Sequence, residues 1–282
     1  SIDEGNTRIN GLSSLKYIFE IFSPELIINS DKLVNIPSIH DFKEQGIGVI
    51  FDLPMAFLEY FFNINDARQY YLLRHFFNYL FFFFAVYFFF LIIKKRYQST
   101  YMAILGSFFL IVSPRIFADS FYNNKDLIFL SMFLIALYFS LKFLENPSIK
   151  NTILFSLTSS LAIDIRILGI ILPTLIIFFY FVENFKFKKN KINVLKPIIL
   201  FLIFTPLFIT FFWPYLWEDP LKNFILIFRS LSTFDEYVYN FYFGEYIFAQ
   251  NIPWHYPIVW IGITTPLFYI FLFIIGSIFI LI

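Results

Sequence analysis

An all-α, polytopic membrane fold is what this sequence predicts, on three observations. Of its 282 residues 59% are hydrophobic and only 15% are charged. The apolar residues come in blocks of about 17 to 25, the length of a bilayer crossing, and the blocks carry neither heptad nor period-two texture. The 45 phenylalanines reflect a composition bias, in which Phe and Ile do what Leu and Val do elsewhere, so runs such as "FFFF" imply no binding role. A net charge of +1 points to no nucleic-acid partner, and the absence of cysteine excludes disulfides and thiolate metal sites.

In chain order, apolar blocks run at 71–93, 100–118, 127–144, 152–182, 197–213 and 259–282. The fourth block is 31 residues long, roughly 46 Å as one helix, which is too long for one crossing of a ~30 Å core and too short for two. Two arms, 152–163 and 167–182, meeting at Asp-Ile-Arg resolve this. Charge supports that hairpin. With it, "KKR" (94–96), Lys142, Lys150, "KFKKNK" and Lys196 all fall on one side, about half of the 21 Lys and Arg, with only Glu145 and Glu183 of the 20 acids. The positive-inside rule makes that side cytoplasmic.

The other side then receives residues 1–70, the loop "DSFYNNKD" (119–126), the Asp164-Arg166 turn and the segment 214–258, while 71–213 form the transmembrane bundle and 259–282 a last span. "LSSLKYIFEIF" (12–22) and "LKNFILIFRSL" (221–231) are amphipathic and suit the interface plane. "WPYLW" (213–217) and "NIPWHYP" (251–257) suit aromatic-belt anchors. Ser1 in place of Met, and an end inside the apolar "GSIFILI", lead us to expect a fragment of a longer protein with a span upstream of residue 1.

Asp164 and Arg166 stand about 200° apart round a helix and cannot neutralise each other as neighbours on one face. An arm of twelve apolar residues gains about 4 to 7 kcal/mol on insertion, and an Asp and an Arg at mid-depth cost about 5 to 7. The near balance puts the pair at the outer rim or in a wet, protein-walled cavity; the alternative is that they merely cap a tight turn. Arg115, Asp119, Lys125 and Asp126 bracket the neighbouring outer loop at similar depth, after Pro114 ends or kinks its span. Asp3 and Glu4 follow the expected upstream span and are candidates for a base by position. His40, His75 and His255 are too scattered to mark a metal site, and neither a Gly-rich phosphate loop nor G-x-S-x-G occurs.

This layout resembles the GT-C class of membrane glycosyltransferases, most closely the dolichyl-phosphate-mannose:protein mannosyltransferase and lipid A aminoarabinose transferase group (glycosyltransferase family 39-like). Asp3-Glu4 is similar to the family's acidic pair after its first span, and Arg74 in "RHFFNYLFFFF" to its R-x-x-x-x-L. Ser113-Pro114 with Asp126 is similar to its "SP" and loop aspartate, and "IDIR" to its "TK" or "TR". "PWHYPIVWIGITTPLFYIFLFIIG" resembles its "PWYY…KTPLPLLLL…G", with Thr264 where Lys is common. The resemblance implies transfer, with inversion, of a sugar from a polyprenyl-phosphate donor to an extracytoplasmic acceptor (protein, lipid A or glycan) at a bacterial inner membrane. It implies Asp3 as base, Glu4 as its neighbour or a metal contact, Asp126 as an orienting group, and Arg166 before Arg74, Arg115 and Lys125 as the holder of the leaving phosphate. Asp164 is expected to pair with a cation from another loop and so position Arg166, with Asp119 in support. No cofactor is certain and a divalent metal stays open. The rival reading is a secondary transporter or flippase of lipid-linked sugars, against which stand the long outer segments and the lack of an evident repeat.

Overall fold

A computed structural model describes residues 4–28, 30–41, 47–186, 191–232 and 239–281, and they are almost entirely helical, as a chain with no water to satisfy its backbone must be. Helix α1 (Glu4–Phe22) is followed by two single-turn helices, α2 (Glu25–Ile28) and α3 (Asp31–Val34), and then by α4 (Asp52–Phe61). Asp66 caps the next helix by accepting the amide of Gln69, and α5 (Ala67–Tyr97) runs for 31 residues. Gln98 ends it in the left-handed conformation, and Ser99 caps α6 (Thr100–Val112). The proline after Ser113 has no amide to continue the ladder, so α7 (Pro114–Tyr122) bends away from α6 by 68°.

The bundle proper continues with α8 (Asp126–Glu145) and with α9 (Ile149–Ile165), which Ser148 caps. At Arg166 the backbone is extended (φ −146°, ψ 126°); a 3-10 turn at Ile167–Ile170 then leads into α10 (Ile171–Lys186). α11 (Lys191–Phe212) carries Pro197 and Pro206 internally, which membrane helices tolerate. Beyond it lie α12 (Pro220–Ser232), a hairpin of β1 (Tyr239–Tyr242) and β2 (Glu245–Phe248), α13 (Tyr256–Thr264) and α14 (Leu267–Leu281). The apolar segment expected as a span over 259–282 is not one straight helix: α13 and α14 are bent by 114°, because Pro266 lacks an amide and Thr265 before it is extended.

The expected break at Asp-Ile-Arg does occur, and it is a hairpin. Near the start of α9, Phe155 stacks on Phe201 of α11 (4.7 Å) and meets Phe143 at the end of α8 (5.2 Å), which also meets Tyr180 near the end of α10 (5.0 Å). At the far end of the same helices Arg166 pairs with Asp126, and Ile163 packs with Ile209 and Trp213. Four helices therefore alternate in direction. Among the described residues four helical segments, Ala67–Tyr97, Asp126–Glu145, Ile167–Asn184 and Val194–Phe212, are long and apolar enough to cross a membrane by themselves, or up to six segments if each bent pair counts as one span; this is an integral membrane protein. Its basic end carries the Lys95–Glu145 pair. Its polar end collects α1, α4, the start of α5, the 123–126 loop, the turn at Arg166 and the segment 213–217.

Candidate active site

The polar end is built on a short strap, residues 47–52, clamped between α1 and α9. Asn10 of α1 donates to the carbonyl of Ile47 (2.9 Å). Gly11 lies so close that a Cβ there would stand 2.4 Å from the Asp52 carbonyl oxygen, and a Cβ on Gly48 would stand 1.6 Å from Asp164 Oδ1. Both positions need glycine for want of space rather than for backbone freedom.

From the strap, α4 presents one face inward. Asp52, Met55, Ala56 and Glu59 are its buried residues, spaced i, i+3, i+4, i+7 as one helical stripe requires. Two acids occupy stripe positions normally apolar, and cations meet them. Arg74, only 2% exposed, pairs with Asp52, and its Nη1 lies 3.8 Å from Glu59. Glu59 also accepts from Arg8 Nε (2.9 Å) and lies 3.7 Å from Lys32. Burial pushes the Glu59 carboxyl above its ordinary range, with Arg8 and Lys32 pulling it back; burial lowers Lys32, and Glu59 opposes that. Arg8 completes the cluster by lying over the Tyr70 ring, 3.7 Å from its centroid.

Asn124 joins this buried cluster to the 123–126 loop. Its amide donates to Thr7 Oγ1 (2.8 Å) and to Asp52 Oδ1 (3.2 Å), so α1, α4 and the loop meet at one side chain. Two residues on, Asp126 opens α8. Its Oδ2 accepts from Asn123 Nδ2 (3.1 Å), Asn123 Oδ1 accepts the amides of Lys125 (3.3 Å) and Asp126 (2.9 Å), and Asp126 Oδ1 pairs with Arg166. This pair is open to solvent, with side-chain exposures of 43% for Arg166 and 56% for Asp126. Beside it, α10 and α11 enclose an apolar groove of about 520 Å³ that reaches α12, lined by Ile163, Ile170, Ile177, Phe201, Ile209 and Leu216 among others. Ile163 and Ile170 of its lining lie three and four residues from Arg166 in sequence, so the groove reaches the same end of the bundle as the Arg166 turn.

The sequence-derived residues fare differently. Asp3 lies outside the described residues. Glu4 is buried on the inner side of α1, with His75 Nε2 3.1 Å from its Oε1. Arg74 is committed to Asp52 inside the protein. Arg115 is exposed, 3.9 Å from Asp119, whose backbone carbonyl, with that of Ser120, receives Asn78 (3.4 and 2.8 Å). Lys125 sits in the loop between Asn124 and Asp126. Asp164 departs from expectation: it faces Gly48 rather than a cation, is 1% exposed, and neither oxygen completes a hydrogen bond, although the Val49 amide approaches. Asp164 lies in the last turn of α9 and is buried, whereas Arg166 follows the end of that helix with an extended backbone and is exposed. Among the described residues no group of three or more His, Asp or Glu is placed to hold a metal ion.

The sequence does not single out Arg8, Asp52, Glu59 or Asn124, and it offers His75 only as one of three histidines too scattered for a metal site. For Asp52 and Glu59 a signal existed, two acids seven apart in phase with Met55 and Ala56; for Asn124 none did.

A membrane-helix bundle whose connecting segments bring carboxylates, amides and guanidinium groups to one end, next to an apolar groove, has the parts of an enzyme acting on a lipid-bearing substrate. The family model for dolichyl-phosphate-mannose-protein mannosyltransferase matches residues 55–210, more than half of the chain, and the chain belongs to that family. Membership makes it a glycosyltransferase, mannosyltransferase-like, of the kind that draws sugar from polyprenyl-phosphate donors. No curated protein and no solved structure matches the chain. The matched range contains Arg74, Arg115, Asp126 and Arg166, and it stops short of Glu4 and the strap.

Proposed function

We propose that the protein transfers a sugar from a polyprenyl-phosphate donor to a hydroxyl of an extracytoplasmic acceptor, with inversion at the anomeric carbon. The acceptor oxygen attacks C1 from the face opposite the phosphate and its proton passes to Asp3, the acid next to Glu4. The C1–O bond to phosphate breaks, its electron pair stays on the phosphate oxygen, and Arg166 offsets the charge that builds there. Asp126 orients the groups around Arg166. The groove between α10 and α11 takes the first isoprene units, so the lipid stays in an apolar channel while its phosphate meets the guanidinium. Arg74 already has Asp52 and Glu59 as partners, which favours Arg166 as the phosphate cation.

The observation that carries this reading is the meeting of the Glu4 helix, the Asp126 loop and the Arg166 turn at one end of the bundle, beside a groove fit for a lipid tail. Residues 1–70 and 214–258 then lie outside a bacterial inner membrane, and the basic end around Lys95 faces the cytoplasm. The test is sugar transfer from a polyprenyl-phosphate sugar in membranes: Asp3→Asn and Arg166→Gln should each lose turnover by about a hundredfold or more. Undiminished turnover in Asp3→Asn removes Asp3 from the role of base.

A further inference from the structure

The Arg166–Asp126 pair sits where the proposed phosphate would bind, and its construction gives Asp126 a task of its own. The carboxylate offers Arg166 one oxygen while Asn123 grips the other. Asn123 is in turn fixed by two backbone amides, so the acid stays in place when the guanidinium leaves. Arg166, standing at the helix break with an extended backbone, carries its long side chain at the surface. Both groups are open to solvent, and an exposed ion pair is weak enough to be exchanged. A lipid in the α10–α11 groove has its phosphate at the same end of the bundle as this guanidinium, since the lining includes Ile163 and Ile170, three and four residues from Arg166 in sequence.

We propose that Asp126 is an exchange partner for the lipid phosphate: it holds Arg166 while the site is empty, yields it to the donor, and competes the spent polyprenyl phosphate off afterwards. This rests on Arg166 being the phosphate-binding cation, as proposed above. The charges give the exchange a direction. The donor is a phosphodiester with one negative charge. Breaking C1–O leaves a monoester whose charge rises toward two, and the fixed carboxylate beside it repels the product more than the substrate. Asp126 thus favours release of product over release of donor.

The experiment measures binding of decaprenyl monophosphate, the product class, to the purified protein in detergent by isothermal titration calorimetry. The proteins compared are the wild type, Arg166→Gln, Asp126→Asn and Asp126→Ser; both Asp126 variants remove the charge and keep a polar side chain at the first position of α8, and size-exclusion profiles check that each is folded. With the competing carboxylate gone, Asp126→Asn and Asp126→Ser should bind about three- to tenfold tighter, and multiple-turnover transfer should become more sensitive to added decaprenyl phosphate by a similar factor. Arg166→Gln should bind about tenfold weaker or worse. Equal or weaker binding by both Asp126 variants, with Arg166→Gln weakened, overturns the exchange role and leaves the phosphate site standing. Undiminished binding by Arg166→Gln overturns the phosphate site itself, and the exchange role with it.

Discussion

Two arginines of this protein each meet a carboxylate, and the structure predicts opposite outcomes when they are removed. Arg74→Met takes a cation from between Asp52 and Glu59, where all three side chains are buried. Breaking a buried pair costs about 3 to 5 kcal/mol, because the surviving acid keeps its desolvation penalty without its partner. Asp52 would retain Asn124 (3.2 Å), and Glu59 would retain Arg8 (2.9 Å) and Lys32 (3.7 Å). Those survivors hold the loss near the lower figure, about 3 kcal/mol, or a fall in melting temperature of roughly 6 to 12 °C. Arg166→Gln breaks an exposed pair and should change stability by less than about 1 kcal/mol, yet on the proposed mechanism it removes the group that stabilises the leaving phosphate and costs about a hundredfold in kcat. Thermal unfolding in detergent and transfer assays on the same preparations separate the two. An Arg74→Met protein that melts within about 2 °C of wild type would refute the energetic reasoning about the buried cluster.

Three further predictions concern the strap, the buried acid and the groove. Gly48→Ala places a methyl 1.6 Å from Asp164 Oδ1 and 2.0 Å from the Asp164 carbonyl oxygen, so the strap must shift at a cost of about 1 to 3 kcal/mol; denaturant unfolding and faster proteolysis within the strap would reveal it. Glu59 lies above its ordinary value of 4.5 when folded, so the folded state binds more protons there than the unfolded state does. Its contribution is fully present below 4.5 and is lost as pH rises through the folded value. Melting curves should show stability falling over that window in the wild type, and the limb should be absent in Glu59→Gln. Thr174→Trp fills the mouth of the α10–α11 groove from an exposed position; it should raise KM for a long-chain donor about tenfold, on the scale of about 0.8 kcal/mol for each CH₂ no longer buried, and leave a short-chain donor unaffected.

Much of the bundle was legible in the chain. Length and apolarity alone mark α5, α8 and α11, and the arithmetic of a 31-residue block containing Asp164 and Arg166 identifies the hairpin of α9 and α10 before any contact is known. Pro114 marks the bend into α7, and Pro266, by the same lack of an amide, marks the bend between α13 and α14. The site was half legible. Arg166 and Asp126 announce themselves as charges that an apolar chain must place somewhere useful, and the chain does bring them together.

Hydropathy and helical period determined the membrane fold, its hairpin and the clustering of charges at one end, since these follow from what lipid excludes and from 3.6 residues per turn. Only the tertiary structure decided which charge meets which. That Arg74 is spent on Asp52 while Arg166 stays open, that Asp164 faces Gly48, and that Asn124 ties α1 to α4 all depend on close approaches between segments tens of residues apart. Distances of 2 to 4 Å between such segments arise from how helices pack, and no local sequence period encodes them.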